Sequence, residues 1–216
     1  MSLELLFSEN SDVLVSGVLS DSLDTLGIRN CVATNWSHNR PYPQFFGRAR
    51  TIRLQEAMET NERFHLSLDL IESMNSSEVL LIQGSLKFAY FGEMMGTFAS
   101  EQLVPAVIVD GLTRDSSKTR NLSVAIFSQG FSPIDIKGRG TVIETDQPIA
   151  LDSGRVDCAP GDFVFGDSDA VIVVPREIER DLIPVLEKTI AKERAIVAAL
   201  ESGLSAKELR ARFTSF

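Results

Sequence analysis

The stretch EVLLIQGSLKFAYFGEMMGTFASEQLVPAVIVD, residues 78–110, decides the fold. It opens on EVLLI at 78–82, a nearly continuous apolar run that is typical of a strand buried on both faces. A helix is expected over 93–103, and strand-like segments follow at 104–110 and 124–127. Strands that alternate with helices predict a parallel sheet joined by crossover connections.

The flanking sequence extends this pattern in both directions. Apolar residues at helical spacing predict a helix over 13–26, alternation predicts a strand over 48–54, and 65–74 is expected to be helical. From 140 to 175, short alternating segments are separated by turn signals. They predict a second, largely antiparallel layer.

The C-terminal part predicts a helical tail. Apolar residues from Ile178 to Leu200 fall mostly on one face of a long helix over 176–201, and Gly203 ends it. The sequence SAKE at 205–208 is a capping-box pattern that opens a last short helix. The long helix could cover its own sheet or pack on a neighbouring subunit, and the sequence leaves both open.

Composition narrows the class of protein. The chain has 216 residues, a net charge of −9 and two cysteines, Cys31 and Cys158, too isolated for a zinc pattern or a redox pair. Nucleic-acid binders carry clustered cations, so no nucleic-acid partner is expected. There is no signal-peptide pattern, and no apolar stretch approaches the roughly 20 residues that span a bilayer. We therefore expect a cytoplasmic protein without membrane association.

Two segments could carry chemistry. FGEMMG at 91–96 is a glycine-bounded turn that opens a helix, and free N–H groups near Met94 and Met95 would suit a carboxylate or phosphate. VIVDGLTRD at 107–115 is a buried strand with polar residues at its carboxyl end, where open α/β folds bind ligands. These two segments are the candidate site.

The polar residues of these segments include two kinds of binding group. Arg114 can grip a carboxylate or enolate oxygen, and Asp115 is a hard oxygen ligand suited to Mg²⁺ or Mn²⁺. An ordinary surface ion pair in a turn is an equally open interpretation, and Glu93 is also favoured in a first helical turn by the helix dipole. Neither a nucleophile elbow around His38 or His65 nor a dinucleotide or phosphate-loop pattern is found.

Four motifs in a fixed order carry a family resemblance. They are FGRAxT at 46–51, FGEMM at 91–95, VDGxxRD at 109–115, and PGD at 160–162 continuing through GDSD to VVP at 173–175. The chain resembles, over about 20–175, the family of the regulator of ribonuclease activity A (RraA-like proteins) and the 4-hydroxy-4-methyl-2-oxoglutarate aldolases. Members are often labelled demethylmenaquinone methyltransferases, a label that the missing cofactor motif does not support.

The resemblance implies an α/β fold of the swivelling β/β/α type. It has a parallel central sheet, an antiparallel second sheet and here a C-terminal helical tail. We expect a single RraA-like domain over 1–216, with its core at about 10–175 and the tail at 176–216. The resemblance also implies a homotrimer or homohexamer with sites at subunit interfaces, where a neighbour's glutamate contributes in some members.

The resemblance further implies a divalent-metal-dependent (class II) pyruvate aldolase with secondary oxaloacetate decarboxylase activity. Its aldolase branch has an acidic residue, twenty intervening residues and then Arg-Asp, which Glu93, Arg114 and Asp115 match. Asp115 would bind Mg²⁺, Mn²⁺ or another divalent cation, and Glu93 would polarise a metal-bound water that donates a proton. Arg114 would bind the keto-acid oxygens of a small 2-oxo acid substrate.

The substrate carboxylate would be held at the start of the helix, by Gly92 and the backbone N–H groups of Met94 and Met95. Lys118 departs from the family, which often has an acidic residue at that position. Its positive charge could alter metal affinity or the distal part of the substrate.

Two other functions stay open. A non-catalytic regulator that binds a ribonuclease or another protein is compatible with the acidic charge and with the same family. A Schiff-base aldolase would use a buried lysine, for which Lys87 and Lys118 are the candidates near the site.

Overall fold

A computed structural model describes residues 1–41, 43–57 and 63–213 of the protein, which divides into two compact units. One unit, Asn30–Glu177, contains the strands, and the other combines Met1–Arg29 with Ile178–Phe216 and is helical. Each unit is described by itself below.

The elements are numbered in chain order. The strands are β1 (Val32–Thr34), β2 (Ser37–His38), β3 (Phe45–Glu56), β4 (Glu78–Gln83), β5 (Ala89–Phe91), β6 (Ala106–Thr113), β7 (Ala125–Phe131), β8 (Gly140–Thr145), β9 (Ile149–Leu151), β10 (Val156–Cys158), β11 (Phe163–Gly166) and β12 (Ala170–Val174). The helices are α1 (Leu3–Glu9), α2 (Ser16–Thr25), α3 (Phe64–Ser73), α4 (Glu93–Glu101), α5 (Ser116–Thr119), α6 (Glu179–Glu201) and α7 (Ala206–Arg212), with a 3₁₀ turn at Arg176–Ile178.

The centre of the sheet is parallel, as predicted. Strands β3, β4, β6 and β7 lie side by side in that order, and each neighbouring pair is parallel. In β4, Leu80 and Ile82 belong to one apolar core, whereas Val79 and Leu81 belong to a second core. Successive side chains of a strand point to opposite faces, so both faces of this sheet are covered. That is the physical reason for the continuous apolar run.

The antiparallel strands mostly extend this sheet. β11 pairs with β3, β12 with β11 and β1 with β12, all antiparallel, while β8 and β2 add to β3 and β7. Only β9 and β10 form a separate antiparallel sheet in the described residues. The expected combination of a parallel centre with a second antiparallel sheet is confirmed. The second sheet is small because β11 pairs with β3 and β12 pairs with β11, so both strands belong to the main sheet.

Element boundaries differ from the predictions in two instructive places. β6 continues three residues past Asp110, because the short strand β5, which was not predicted, pairs with Leu112 and Thr113 where β4 has ended. At the N-terminus, the helix expected over 13–26 occupies Ser16–Thr25, and an additional helix, α1, precedes it. A strand or helix of three to seven residues has too short a periodic pattern to be recognised by itself.

The helical unit is built on α2 and α6. The Ser22 hydroxyl donates to Oγ1 of Thr189 at 3.1 Å between these two helices. The long C-terminal helix therefore packs against a helix of its own chain. At the start of α7, Ser205 and Glu208 form the predicted capping box. Within the described ranges, no helix has both the length and the apolar character needed to cross a membrane.

Both cysteines are buried free thiols, with Cys31 3% and Cys158 1% exposed. Burial raises the pKa of Cys31 to about 11, and burial also raises the pKa of the Cys158 thiol.

Because the thiolate is the reactive form, we expect neither cysteine to react with a disulfide reagent in the native protein at pH 8, and both to react after unfolding. A Ser8→Cys variant, on the exposed side of α1, should add one rapidly reacting thiol. Rapid labelling of the native wild type would contradict the burial of the two thiols.

Candidate active site

Three chain segments meet where β5, β6 and β7 end. These strands run parallel, so their carboxyl ends lie at one edge of the sheet, called here the carboxyl edge. The Arg114 backbone N–H donates to the Phe91 carbonyl at 3.0 Å, and the Ser132 N–H donates to the Thr113 carbonyl at 2.9 Å. These bonds fix the segments after the three strands against one another.

Gly92 allows the first two segments to touch. It is the N-cap residue of α4, it is buried, and a Cβ atom there would lie 2.5 Å from Oδ2 of Asp115 and 2.8 Å from Cγ of Arg114. A side chain at 92 would force the Asp115 and Arg114 side chains to shift. The glycine of the FGEMM motif therefore allows the Arg-Asp pair to pack directly onto the backbone.

Asp115 has an unusual backbone and an unusual hydrogen bond. Its φ of 60° and ψ of 35° place it in the left-handed region, which costs energy for a residue with a side chain. It is the N-cap of α5, yet its carboxylate makes no capping bond there. Instead, Oδ2 accepts the Glu93 N–H at 3.2 Å. The carboxylate thus sits at the positive N-terminal end of α4.

Arg114 is held between two carboxylates. Its Nε lies 3.5 Å from Oδ2 of Asp115, and its Nη1 donates to Oδ2 of Asp135. The other carboxylate oxygen of Asp135 accepts the Lys137 N–H at 2.9 Å. The Lys137 hydrogen bond and then the Arg114 guanidinium hold the pKa of Asp135 below its usual range. The orientation of the guanidinium is therefore set by two anions.

The first turn of α4 presents donors at the same place. Glu93 is exposed, Met94 is 72% exposed and Met95 is buried. The N–H of Glu93 is used by Asp115, whereas amides in a first helical turn have no acceptor within their helix. The N–H groups of Met94 and Met95 are accordingly suited to an anionic ligand, as the sequence predicted.

Two cavities open beside Arg114. One, of about 400 Å³, is called here the Asp115 cavity and is lined by Arg114, Asp115, Ser116, Phe131, Ser132 and Pro133. The other, of about 310 Å³, is called the Tyr90 cavity and includes Arg114, Tyr90 and Met94 in its lining. A larger cavity of about 450 Å³, near Arg53 and Glu177, contains none of the predicted site residues. Of the predicted residues, Met94, Arg114 and Asp115 line these two cavities, which share Arg114. The catalytic and binding roles of the predicted residues stay predictions.

The donor set fits a hydrated Mg²⁺ better than a fully enclosed metal. In the described part of the chain, no group of three or more His, Cys, Asp or Glu side chains is arranged to hold a metal. Mg²⁺ needs only one or two carboxylates, since it keeps several waters and takes further oxygens from its substrate. Asp115, whose side chain is 41% exposed, supplies such a carboxylate. Asp115 and Asp135 against the one guanidinium of Arg114 leave one excess negative charge, which a bound cation would balance.

Asp135 was not predicted from the sequence. It lies in the segment after β7, which the Ala89 N–H fastens by donating to the Ile134 carbonyl at 2.7 Å. One signal was available. β7 is the next parallel strand after β6, so acidic residues just beyond its end belong to the same edge of the sheet.

Other candidate residues lie outside this arrangement. His38 is on β2, with Nδ1 2.8 Å from the Arg40 carbonyl oxygen. Lys87 pairs with Glu56 at 2.6 Å and its side chain is 74% exposed. Lys118 is exposed as well. A Schiff-base lysine is activated by desolvation, and neither lysine meets that condition.

The protein has an α/β fold in which the Arg114–Asp115 pair lies at the carboxyl edge of the sheet, against Gly92. The family model RraA-like (Aldolase/RraA) matches residues 16–173, and the chain belongs to this family. The expected family and α/β architecture are thereby confirmed.

Known relatives are distant in sequence. A protein of Halalkalibacterium halodurans with the provisional name 4-hydroxy-4-methyl-2-oxoglutarate aldolase is 26% identical over 193 residues, covering 87% of this chain and 85% of its own. Protein DlpA of Legionella pneumophila is 26% identical over 203 residues, which cover 90% of this chain and 32% of DlpA, so the chain spans about a third of that protein.

One of the matching solved structures is described as a member of a family of ribonuclease inhibitors. RraAS2 from Streptomyces coelicolor, described as an unusual member of the RNase ES inhibitor RraA family, matches with a TM-score of 0.73 and 25% identity. The match covers 90% of this chain and 94% of RraAS2. The relatives therefore point to an aldolase and to an inhibitor.

Gly92→Ala tests the close approach at the site. The added methyl group would overlap Asp115 and Arg114, so we expect a loss of about 1–3 kcal/mol in the free energy of unfolding, measured by urea denaturation. Gly17→Ala is the matched control, since a Cβ atom at this helical position meets nothing within 4 Å. It should be neutral or stabilising by up to about 1 kcal/mol. Equal stability of the two variants would show that Asp115 and Arg114 do not pack tightly against position 92.

Asp135→Asn tests the ion pair with Arg114. A carboxyl whose folded-state pKa is lowered contributes stability above its unfolded pKa of about 4, and loses it as the pH falls through the folded value. We therefore expect the wild type to exceed Asp135→Asn in thermal stability at pH 6, with the difference shrinking towards pH 2. A difference that is independent of pH would contradict the pairing.

Proposed function

We propose that the protein is a divalent-metal-dependent pyruvate aldolase acting on a 4-hydroxy-2-oxo acid, with oxaloacetate decarboxylation as a secondary activity. One observation carries this proposal: the Arg114–Asp115 pair packs against Gly92 at the N-terminus of α4. The pair brings a guanidinium, a metal-ligating carboxylate and free helix N–H groups together. The family and the provisional name of the Halalkalibacterium relative support the same activity.

Substrate binding follows from the donors. The N–H groups of Met94 and Met95 hold the carboxylate of the pyruvyl part, where the helix dipole favours negative charge. Arg114 donates to the neighbouring keto oxygen. Because Asp135 and Asp115 already orient its guanidinium, little order has to be created when the substrate arrives.

Arg114 is positioned for the chemical step. Cleavage of the bond between C3 and C4 leaves an electron pair on C3, and the charge spreads to the keto oxygen as an enolate. The guanidinium stabilises that oxygen where negative charge develops. Asp115 would hold the divalent metal, which supplies Lewis-acid polarisation of the same keto acid when bound. Decarboxylation of oxaloacetate produces the same enolate, which explains the secondary activity.

Glu93 is placed for proton transfer. Its backbone is fixed by the bond from its N–H to Asp115, while its side chain is exposed. An exposed carboxylate there can hold a water and deliver a proton to C3 of the enolate, which completes pyruvate. Lys118 stands close by on α5, and its charge bears on the distal end of the substrate or on metal affinity.

The proposal includes the assembly and the cell compartment expected of the family. The protein forms a homotrimer or homohexamer in the cytoplasm, with the sites at subunit interfaces, and binds neither nucleic acid nor membrane. Exposed Phe131 and Ile134, in the segment around the Asp115 cavity, support a covered surface there.

A second candidate function is regulation of an RNA-degrading enzyme. The match to RraAS2 favours it, and the net charge of −9 suits a basic partner. This function needs only the outer surface of the molecule. Inhibition of a ribonuclease that survives Asp115→Asn would therefore support it against the aldolase.

Pyruvate release tests the proposed activity. With Mg²⁺ we expect pyruvate from 4-hydroxy-4-methyl-2-oxoglutarate and from oxaloacetate, and none after chelation. Asp115→Asn and Arg114→Met should each lower kcat/KM by about 100-fold or more, since each removes a group that acts on the developing charge. Asp157→Asn, an exposed carboxylate on β10, is the matched control and should stay within about twofold of the wild type. Metal-independent release, or full activity of Asp115→Asn, would overturn the proposal.

A further inference from the structure

The Tyr90 cavity is a second space that the proposed reaction has not used. It lies between the first residue of α3, Phe64, the strand residue Tyr90 and the segment after β7, which contributes Ile136. Val142 of β8 closes it from the inside. Its volume of about 310 Å³ exceeds the roughly 150 Å³ in which an apolar cavity holds benzene.

The walls of this cavity are largely apolar. Val142 is 2% and Tyr90 7% exposed, and Ile136 packs against the neighbouring core. The hydroxyl of Tyr90 is hydrogen-bonded to Oγ of Ser67, so its polar atom is satisfied within the protein. Burial raises the pKa of Tyr90 to about 12, which keeps that hydroxyl neutral. The ring of Tyr90 is therefore available as an apolar surface.

The cavity adjoins the proposed substrate-binding groups. Arg114 lines both the Tyr90 cavity and the Asp115 cavity, and Met94, whose N–H is assigned to the pyruvyl carboxylate, lines the Tyr90 cavity. In the proposed binding mode, the C4 end of a 2-oxo acid held by these groups would lie next to this space. We propose that the Tyr90 cavity binds an apolar C4 substituent of the substrate, up to the size of a phenyl ring. This inference rests on the proposed function.

Two cations besides Arg114 also border the cavity, and a carboxylate is therefore the alternative occupant. Arg63 and Lys137 are exposed, so they stay hydrated at its mouth. Binding of a second substrate carboxylate would have to use them. Asp135 also lines the cavity, where it is paired with Arg114. The rest of the lining includes the buried Tyr90 and Val142 and the half-buried Ile136, and apolar surface there is removed from water only by an apolar group.

The reaction with such a substrate is balanced without a further reagent. In 4-hydroxy-4-phenyl-2-oxobutanoate, the bond between C3 and C4 breaks and its electron pair stays on C3. The C4 hydroxyl loses its proton and becomes the carbonyl of benzaldehyde. C3 takes up a proton, and pyruvate is the second product. No oxidation or reduction occurs.

Ligand binding to the wild-type protein tests the inference without a variant. In titration calorimetry with Mg²⁺ present, 2-oxo-4-phenylbutanoate should bind at least about tenfold more tightly than 2-oxobutanoate, since each methylene in a fitted pocket contributes at least that order. Equal dissociation constants would overturn the inference. Tighter binding of 2-oxoglutarate than of the phenyl compound, abolished by Lys137→Gln, would assign the cavity to a carboxylate instead.

Paired variants locate the effect. Ile136→Trp fills the cavity and should remove the preference for the phenyl compound while oxaloacetate decarboxylation stays within about twofold. Leu5→Trp, at an exposed leucine of α1 that does not line the cavity, should leave both unchanged. An unchanged phenyl preference in a folded Ile136→Trp protein would contradict the location.

The two proposals fail separately. If the phenyl compound binds tightly and Ile136→Trp weakens it, but no substrate yields pyruvate, the cavity assignment stands and the aldolase is wrong. If oxaloacetate yields pyruvate with Mg²⁺ but the phenyl group adds no affinity, the aldolase stands and the cavity assignment is wrong.

Discussion

The site depends on one hydrogen bond, in which Oδ2 of Asp115 accepts the Glu93 N–H at 3.2 Å. This bond joins the loop after β6 to the N-terminus of α4, which follows β5. It is allowed by the left-handed backbone of Asp115 and by the glycine at 92, because a side chain there would force Asp115 and Arg114 to shift. It also places an anion at a helix N-terminus whose next amides suit an anionic ligand.

That arrangement has an electrostatic consequence. Asp115 and Asp135 bring two negative charges to the single guanidinium of Arg114. Both carboxylates contact Arg114 directly, which orients it but also neutralises the charge that a substrate would meet. A divalent cation at Asp115, as we propose for this site, would offset one of these negative charges. The arrangement is therefore compatible with the metal that the family resemblance implies.

Sequence alone predicts the parallel centre and the juxtaposition of the two motifs, because EVLLI at 78–82 has to be buried on both faces and parallel strands end at one edge. It does not predict Asp135, whose place depends on how the segment after β7 returns to pair with Ala89. Nor does it predict β5, since three residues form a strand only because the end of β6 offers a partner. The local sequence pattern predicts most of the strands and helices, whereas contacts between distant segments determine which side chains meet at the site.

The choice between an enzyme and a surface regulator can be argued from strain. A regulator that acts through its outer surface gains nothing from a left-handed aspartate or from an arginine held between two carboxylates. A left-handed backbone costs energy for a residue with a side chain, and it persists where the surrounding structure or function requires it. Six non-glycine residues in the described part of the chain have positive φ, and Asp115 is the one that lines a cavity together with Arg114. The position of this residue is compatible with chemistry at the carboxyl edge.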